Sequence, residues 1–247
     1  MTDTVAAVVA TLVGLAFALS TFERYLARRA RHELAWSLAL AFFAVASGAL
    51  ALGATVGWTG ATFRVFYLFG AVVNVPVLAL GTVYLLAGRR VGDVAAACVA
   101  LGAAFSAGAL VSLPYTGTVP RHVLAQGAHV LPPLAQVLAG VGSGAGTIVI
   151  VAGAIYSALR RRRSGRVALG NVIIAFGTLV TGASGIANSV FDKMTAFAVA
   201  LGAGISIIFV GFIVVASAGA ARLRTGAREP GAATTAPQPA SVNRSAR

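Results

Sequence analysis

Seven apolar runs, near residues 5–21, 34–56, 63–87, 92–111, 135–159, 168–188 and 194–217, dominate the chain. Each approaches the roughly 20 residues a helix needs to cross about 30 Å of hydrocarbon. The linkers between them are short, which predicts one all-α unit: a polytopic membrane helical bundle with seven transmembrane helices. A soluble helical protein of this size would need polar outer faces. Hydrophobic residues are 58% of the chain and charged ones 10%, so those faces are missing. The first run is read as a retained helix and not as a cleaved signal. Asp3 precedes it where a signal peptide carries basic residues, and its basic cluster follows the apolar run.

The net charge of +13 invites a nucleic-acid reading, but the charge is distributed by side. Sixteen of the 19 basic residues fall in alternate connections: Arg24 to Arg31, Arg89 and Arg90, Arg160 to Arg166, and Arg222 onward. The other connections hold Arg64, Arg121 and Lys193. Positive flanks stay cytoplasmic, which predicts the N-terminus outside and the C-terminus in the cytoplasm of a multi-pass protein. Membrane lipids, with anionic headgroups on the cytoplasmic side, are the partners expected for the inner arginines. No aromatic-interleaved or folded basic module offers itself to nucleic acid. The stretch REPGAATTAPQPASVNRSAR lacks any apolar pattern. The expected division is therefore a transmembrane domain over 1–218 and a disordered cytoplasmic tail over 219–247.

Small residues recur where helices should touch. Ser37, Ala41, Ala44 and Gly48 share a face of the second run. Gly102 and Ser106 lie in the fourth, and Gly202 and Ser206 in the seventh. The fifth carries two overlapping GxxxG pairs, Gly140–Gly144 and Gly142–Gly146. Such spacing lets backbones approach closely, and packing within the bundle is preferred here over a dimer seam.

The third run carries most of the functional expectation. Arg64, Tyr67, Ala71, Asn74, Leu78 and Gly81 follow at three- and four-residue steps, hence on one face. Pro76 cannot donate to the Val72 carbonyl, so the helix should kink and free an acceptor near Asn74. The sixth run shows a matching stripe in Asn171, Thr178, Thr181, Gly185 and Asn188. Its threonines also have the plainer option of bonding their own i−4 carbonyls. The candidate pocket is accordingly Arg64, Tyr67, Asn74, Pro76, Thr178, Thr181 and Asn188, opening outward between the third, fifth and sixth helices. The competing reading gives Asn74 one interhelical hydrogen bond and Pro76 a purely shaping role.

Little else carries chemistry. His122 and His129, in the long outer connection, are two ligands without a third, so no metal is expected. The single cysteine, Cys98, forms no disulfide within the chain and is read as a packing residue. No carboxylate or histidine is expected at mid-membrane, where ion-coupled machines use them. The three histidines, His32, His122 and His129, are read as falling in loops, which argues against haem, and no cofactor is expected. Nucleotide-loop, HExxH and GxSxG patterns are missing, so an enzyme has no positive support. Lys193 stands at the first turn of the last run, which disfavours a retinal linkage. Trp58 and Tyr115 suit an outer interfacial belt, and Tyr25 and Trp36 an inner one.

The stretches ERYLARRARHELAW and WTGATFRVFYLFGAVVNVPVLALGTVYLLA resemble an uncharacterised family of bacterial seven-helix integral membrane proteins over residues 20–90. That resemblance implies the bundle and a bacterial cytoplasmic membrane, and no activity. The functional expectation is a protein that handles or senses a small molecule or lipid through an outward-facing intrabundle pocket. Its alternative is a non-catalytic structural subunit with a membrane protein partner.

Overall fold

A computed structural model describes residues 2–121, 127–159, 165–191 and 194–226; side chains at 2–3, 128, 158, 182–198, 201, 216 and 218–226 are outside the description. Among the described residues the fold is all-helical. The elements are α1 (Thr2–Arg28), α2 (Arg31–Thr55), α3 (Gly60–Phe66), a π-helical segment (Tyr67–Val73), α4 (Asn74–Ala87), α5 (Arg89–Ser112), the short α6 (Gly127–Val130), α7 (Pro133–Leu159), α8 (Gly165–Phe191) and α9 (Met194–Gly226). The α3, π and α4 segments form one continuous helix. Among the described residues five helices are long and apolar enough to cross a membrane: Thr4–Arg28, Arg31–Thr55, Gly60–Ala87, Arg89–Ser112 and Pro133–Ser157. The described apolar parts of α8 and α9 are shorter, Gly165–Thr181 and Gly202–Val215.

Each of the seven apolar runs falls on one helix, the second overrunning its end by Val56. The helices extend beyond the runs because arginine is a good helix former and its long stem can lie along apolar surface. The boundary expected at 218 falls inside α9, and 227–247 lies outside the described residues.

The helices close a ring in the order α1, α2, α4, α7, α8, α9 and back to α1, with α5 attached to the outside of α4. Aromatic side chains and close backbone contacts hold it shut. Phe17 of α1 stacks on Phe209 of α9 at 3.4 Å between centroids, and Trp36 of α2 stacks on Phe212 at 4.5 Å. Ser37 donates to the Ala18 carbonyl at 2.9 Å, tying α2 to α1 through the small face foreseen for the second run. Between α8 and α9 the contact is backbone to backbone. A Cβ on Gly177 would stand 2.9 Å from the Gly204 carbonyl oxygen, and one on Gly170 2.9 Å from that of Gly211. Both helices therefore depend on glycine at these positions. In the seventh run the pair foreseen, Gly202 and Ser206, is not the one that packs. A Cβ on Gly202 would meet nothing within 4 Å, and Ser206 is exposed.

Two expectations change here. Trp36 and Trp58 are buried and do not line a belt, at 1% and 3% exposure. Trp36 lies against Gly81, where a Cβ would sit 1.8 Å from its indole nitrogen, and Trp58 fills a similar notch at Gly53. Glycine removes the wall that would have kept each ring outside. His32 lies in the first turn of α2, edge-on to Trp36 at 5.2 Å, and not in a loop.

Candidate functional site

Pro76 governs the local geometry. It has no amide hydrogen to donate to the Val72 carbonyl, and the stretch before it is the π-helical segment. α7 receives this irregular backbone. Ser143 donates its hydroxyl to the Ala71 carbonyl. A Cβ on Gly142 would stand 2.7 Å from the Val72 oxygen, and one on Gly146 would stand 2.9 Å from the Val75 oxygen. Of the two GxxxG pairs, Gly142–Gly146 makes the contact. Gly140 and Gly144 meet nothing within 4 Å.

Beside this contact lies a cleft of about 460 Å³ walled by the π-helical segment, α4, α5 and α7. It is lined by Val73 of the π-helical segment, from α4 by Pro76 and Leu80, from α5 by Cys98, Gly102 and Ser106, and from α7 by Leu138, Val141 and Val149. Small residues make the gap. Ala95, Gly102 and Ala103 face Gly142, Ala145 and Gly146, and α5 scarcely touches α7. A Cβ on Gly102 would meet nothing within 4 Å. The cleft opens to the outer surface of the bundle, since the lining residues Phe105 and Val141 are 61% and 64% exposed. Among the described residues that line it, the Ser106 hydroxyl and the Cys98 thiol are the only side-chain heteroatoms. Such a surface can hold an apolar molecule. None of the described side chains lining the cleft carries a charge.

The residues selected from sequence are divided among three places. Asn74, Thr178 and Thr181 do meet, at the centre of the ring, with Phe43 and Ile208. The void they share is about 20 Å³, room for a single water. Thr178 and Thr181 donate to the carbonyls of Ile174 and Gly177 at 2.8 and 2.9 Å, the back-bonding option. The Asn74 amide has no hydrogen-bond partner among the described residues. Pro76 alone of the set lines the large cleft. Arg64 and Tyr67 lie toward the end of the bundle that carries the 113–133 connection. Arg64 donates to the Leu113 carbonyl at 2.8 Å and lies over the Tyr115 ring at 4.4 Å, while Tyr67 abuts Gly127. Tyr115 in turn donates to the Gly60 carbonyl at 2.5 Å. Burial pushes the Tyr115 phenol above its ordinary value, and the Arg64 charge partly opposes this. The Asn188 side chain lies outside the described residues, as do His122, Asp192 and Lys193.

Asn171 is buried and donates to the Ser157 hydroxyl at 3.2 Å, joining α8 to α7. No group of three or more metal-ligating side chains occurs among the described residues.

Sequence reasoning missed the role of α5. Its composition matches that of its neighbours, and only its peripheral placement turns its small residues into a cleft wall. No family model matches the chain, and neither a curated protein nor a solved structure resembles it at a significant level.

Proposed function

We propose that this protein is a multi-pass membrane protein that binds the hydrocarbon chain of a lipid, or an apolar molecule of similar width, in the cleft between α4, α5 and α7. The observation that carries the reading is the cleft itself: about 460 Å³, walled almost wholly by carbon, and open on a face of helices apolar enough to cross a membrane. The volume falls within the roughly 300–1,000 Å³ of small-molecule sites. Wall atoms beside an unfilled gap lose their dispersion partners, and a hydrocarbon chain restores them. In a bilayer the surrounding solvent is itself hydrocarbon, so the occupant is at hand.

The accompanying topology has seven crossings, with α8 and α9 completing the set, the N-terminus outside and the C-terminus in the cytoplasm of a bacterial plasma membrane. It rests on the sixteen-to-three division of basic residues and on the resemblance over residues 20–90. With carbon making up nearly all of the wall, the role that fits is carriage or sensing of the bound molecule.

Cys98 is the natural reporter, being the only cysteine, exposed, and part of the cleft wall. A membrane-soluble aromatic maleimide should label it rapidly in lipid-stripped protein, and added phospholipid should slow the labelling. Gly102→Phe, filling the gap, should slow it without lipid. Equal rates in all three samples would refute the reading.

A second reading, a subunit of a larger membrane complex, is favoured by one observation. The unused GxxxG pair, Gly140 and Gly144, is exposed on α7 beside Val137 and Ile148. Purification in a mild detergent discriminates, because a stoichiometric partner lost on Gly144→Leu would support it and a lone protein would count against it.

A further inference from the structure

We infer that the end of the bundle holding the α1–α2 and α4–α5 turns carries a phosphate-binding site formed by Arg29, Arg31 and Arg89 with His32 and Tyr84. These five side chains line one cavity of about 220 Å³. None of them lines the apolar cleft, so the inference does not rest on the proposal above.

Two tight turns build the site. The chain leaves α1 through Arg29, whose φ of 51° is the only positive value at a described non-glycine residue. Its amide donates to the Tyr25 carbonyl at 2.7 Å. α4 passes into α5 through the single residue Gly88, at φ 85°. The arginines flanking both turns thereby reach one space.

The charge there is unbalanced. Asp93 pairs with Arg31, lies 3.9 Å from Arg89, and accepts the Tyr84 hydroxyl at 2.9 Å. One carboxylate thus serves two guanidinium groups. Arg29 has no carboxylate partner among the described residues. Of the other acids toward this end, the buried Glu33 is engaged by Arg24 and Arg28 at 3.7 and 3.9 Å, and the exposed Glu23 does not line the cavity. Among the described residues two positive charges remain uncompensated around the cavity, which a phosphate ester of one or two negative charges would balance. Guanidinium forks match phosphate oxygens in pairs, and the histidine adds a ring N–H, whereas the one hydrogen of the Tyr84 hydroxyl is already given to Asp93. The same chemistry serves a lipid headgroup or a soluble phosphate ester. Asp93 occupies part of the site as an internal competitor.

Native mass spectrometry of the purified full chain tests this with three probes: phosphatidylglycerol, digalactosyldiacylglycerol and glycerol 3-phosphate. The first two share acyl chains, and only the first carries phosphate. Phosphatidylglycerol should be retained preferentially. Arg89→Gln alters a side chain that is 74% exposed, and it should cut retention roughly fivefold without loss of fold. Asp93→Asn, removing the competitor, should raise retention. Displacement of the lipid by glycerol 3-phosphate would extend the site to soluble esters, and failure to displace it would identify the headgroup as the source. Equal retention of the two lipids would overturn the inference. So would a preference untouched by Arg89→Gln, or a fall in Asp93→Asn.

Discussion

Gly146 of α7 lies flat against the peptide joining Val75 to Pro76: a Cβ on the glycine would stand 2.9 Å from the Val75 oxygen and 3.0 Å from the proline nitrogen. Backbone offers no room to yield, so Gly146→Ala should cost about 1–3 kcal/mol, the usual penalty of overpacking. Gly144→Ala, two residues away with open space around it, should be neutral or gain up to about 1 kcal/mol from helix propensity. Reversible unfolding in mixed micelles reads both, and equal effects would contradict the contact.

At the ring centre, Asn74→Leu should change stability by no more than about 1 kcal/mol, the order of interhelical polar contacts in lipid. Its void of about 20 Å³ admits one water and no ligand. Lipid protection of Cys98 should be unchanged in this variant. Loss of that protection would return Asn74 to the binding site.

The Tyr115 phenol gives an alkaline signature. Its folded-state value is raised by burial, so the neutral form is the one the fold favours. Its contribution to stability is fully present below its ordinary value of about 10 and disappears as pH rises through the higher folded value. Tyr115→Phe, which also loses the bond to the Gly60 carbonyl, should show a smaller decline in stability above that pH than the parent. Parallel declines would place the tyrosine in solvent.

The topology is tested by single cysteines at Thr118 and Ser164 in a Cys98→Ala background. An impermeant maleimide added to intact cells should label position 118 and spare 164. The reverse pattern would invert the chain.

Much of the helical framework is legible in sequence because apolar length is a local property. The disturbance at Pro76 is equally local, following from one missing hydrogen. Which faces meet is not local. Gly140–Gly144 and Gly142–Gly146 are indistinguishable as motifs, and only the rotation of α7 against α4 selects the second pair. Trp36 and Trp58 have the composition of belt residues, but Gly81 and Gly53 on partnering surfaces draw them inward. The Asn74, Thr178 and Thr181 cluster was readable from helical spacing, whereas the space large enough for a ligand lay across α4. That cleft is made of residues too small to touch, which leaves no periodic signal. The basic cavity depends on Arg31 meeting Asp93, 62 positions away, and no sequence spacing announces it.

The most direct measurement of the central claim is photo-crosslinking with a phospholipid bearing a diazirine midway along one acyl chain, followed by peptide mapping. The account predicts crosslinks concentrated on Leu80, Phe105 and Val141 of the cleft, reduced in Gly102→Phe. Crosslinks spread evenly over outward residues such as Leu12, Ile148 and Phe176, at 60%, 70% and 58% exposure, and indifferent to that substitution, would contradict it.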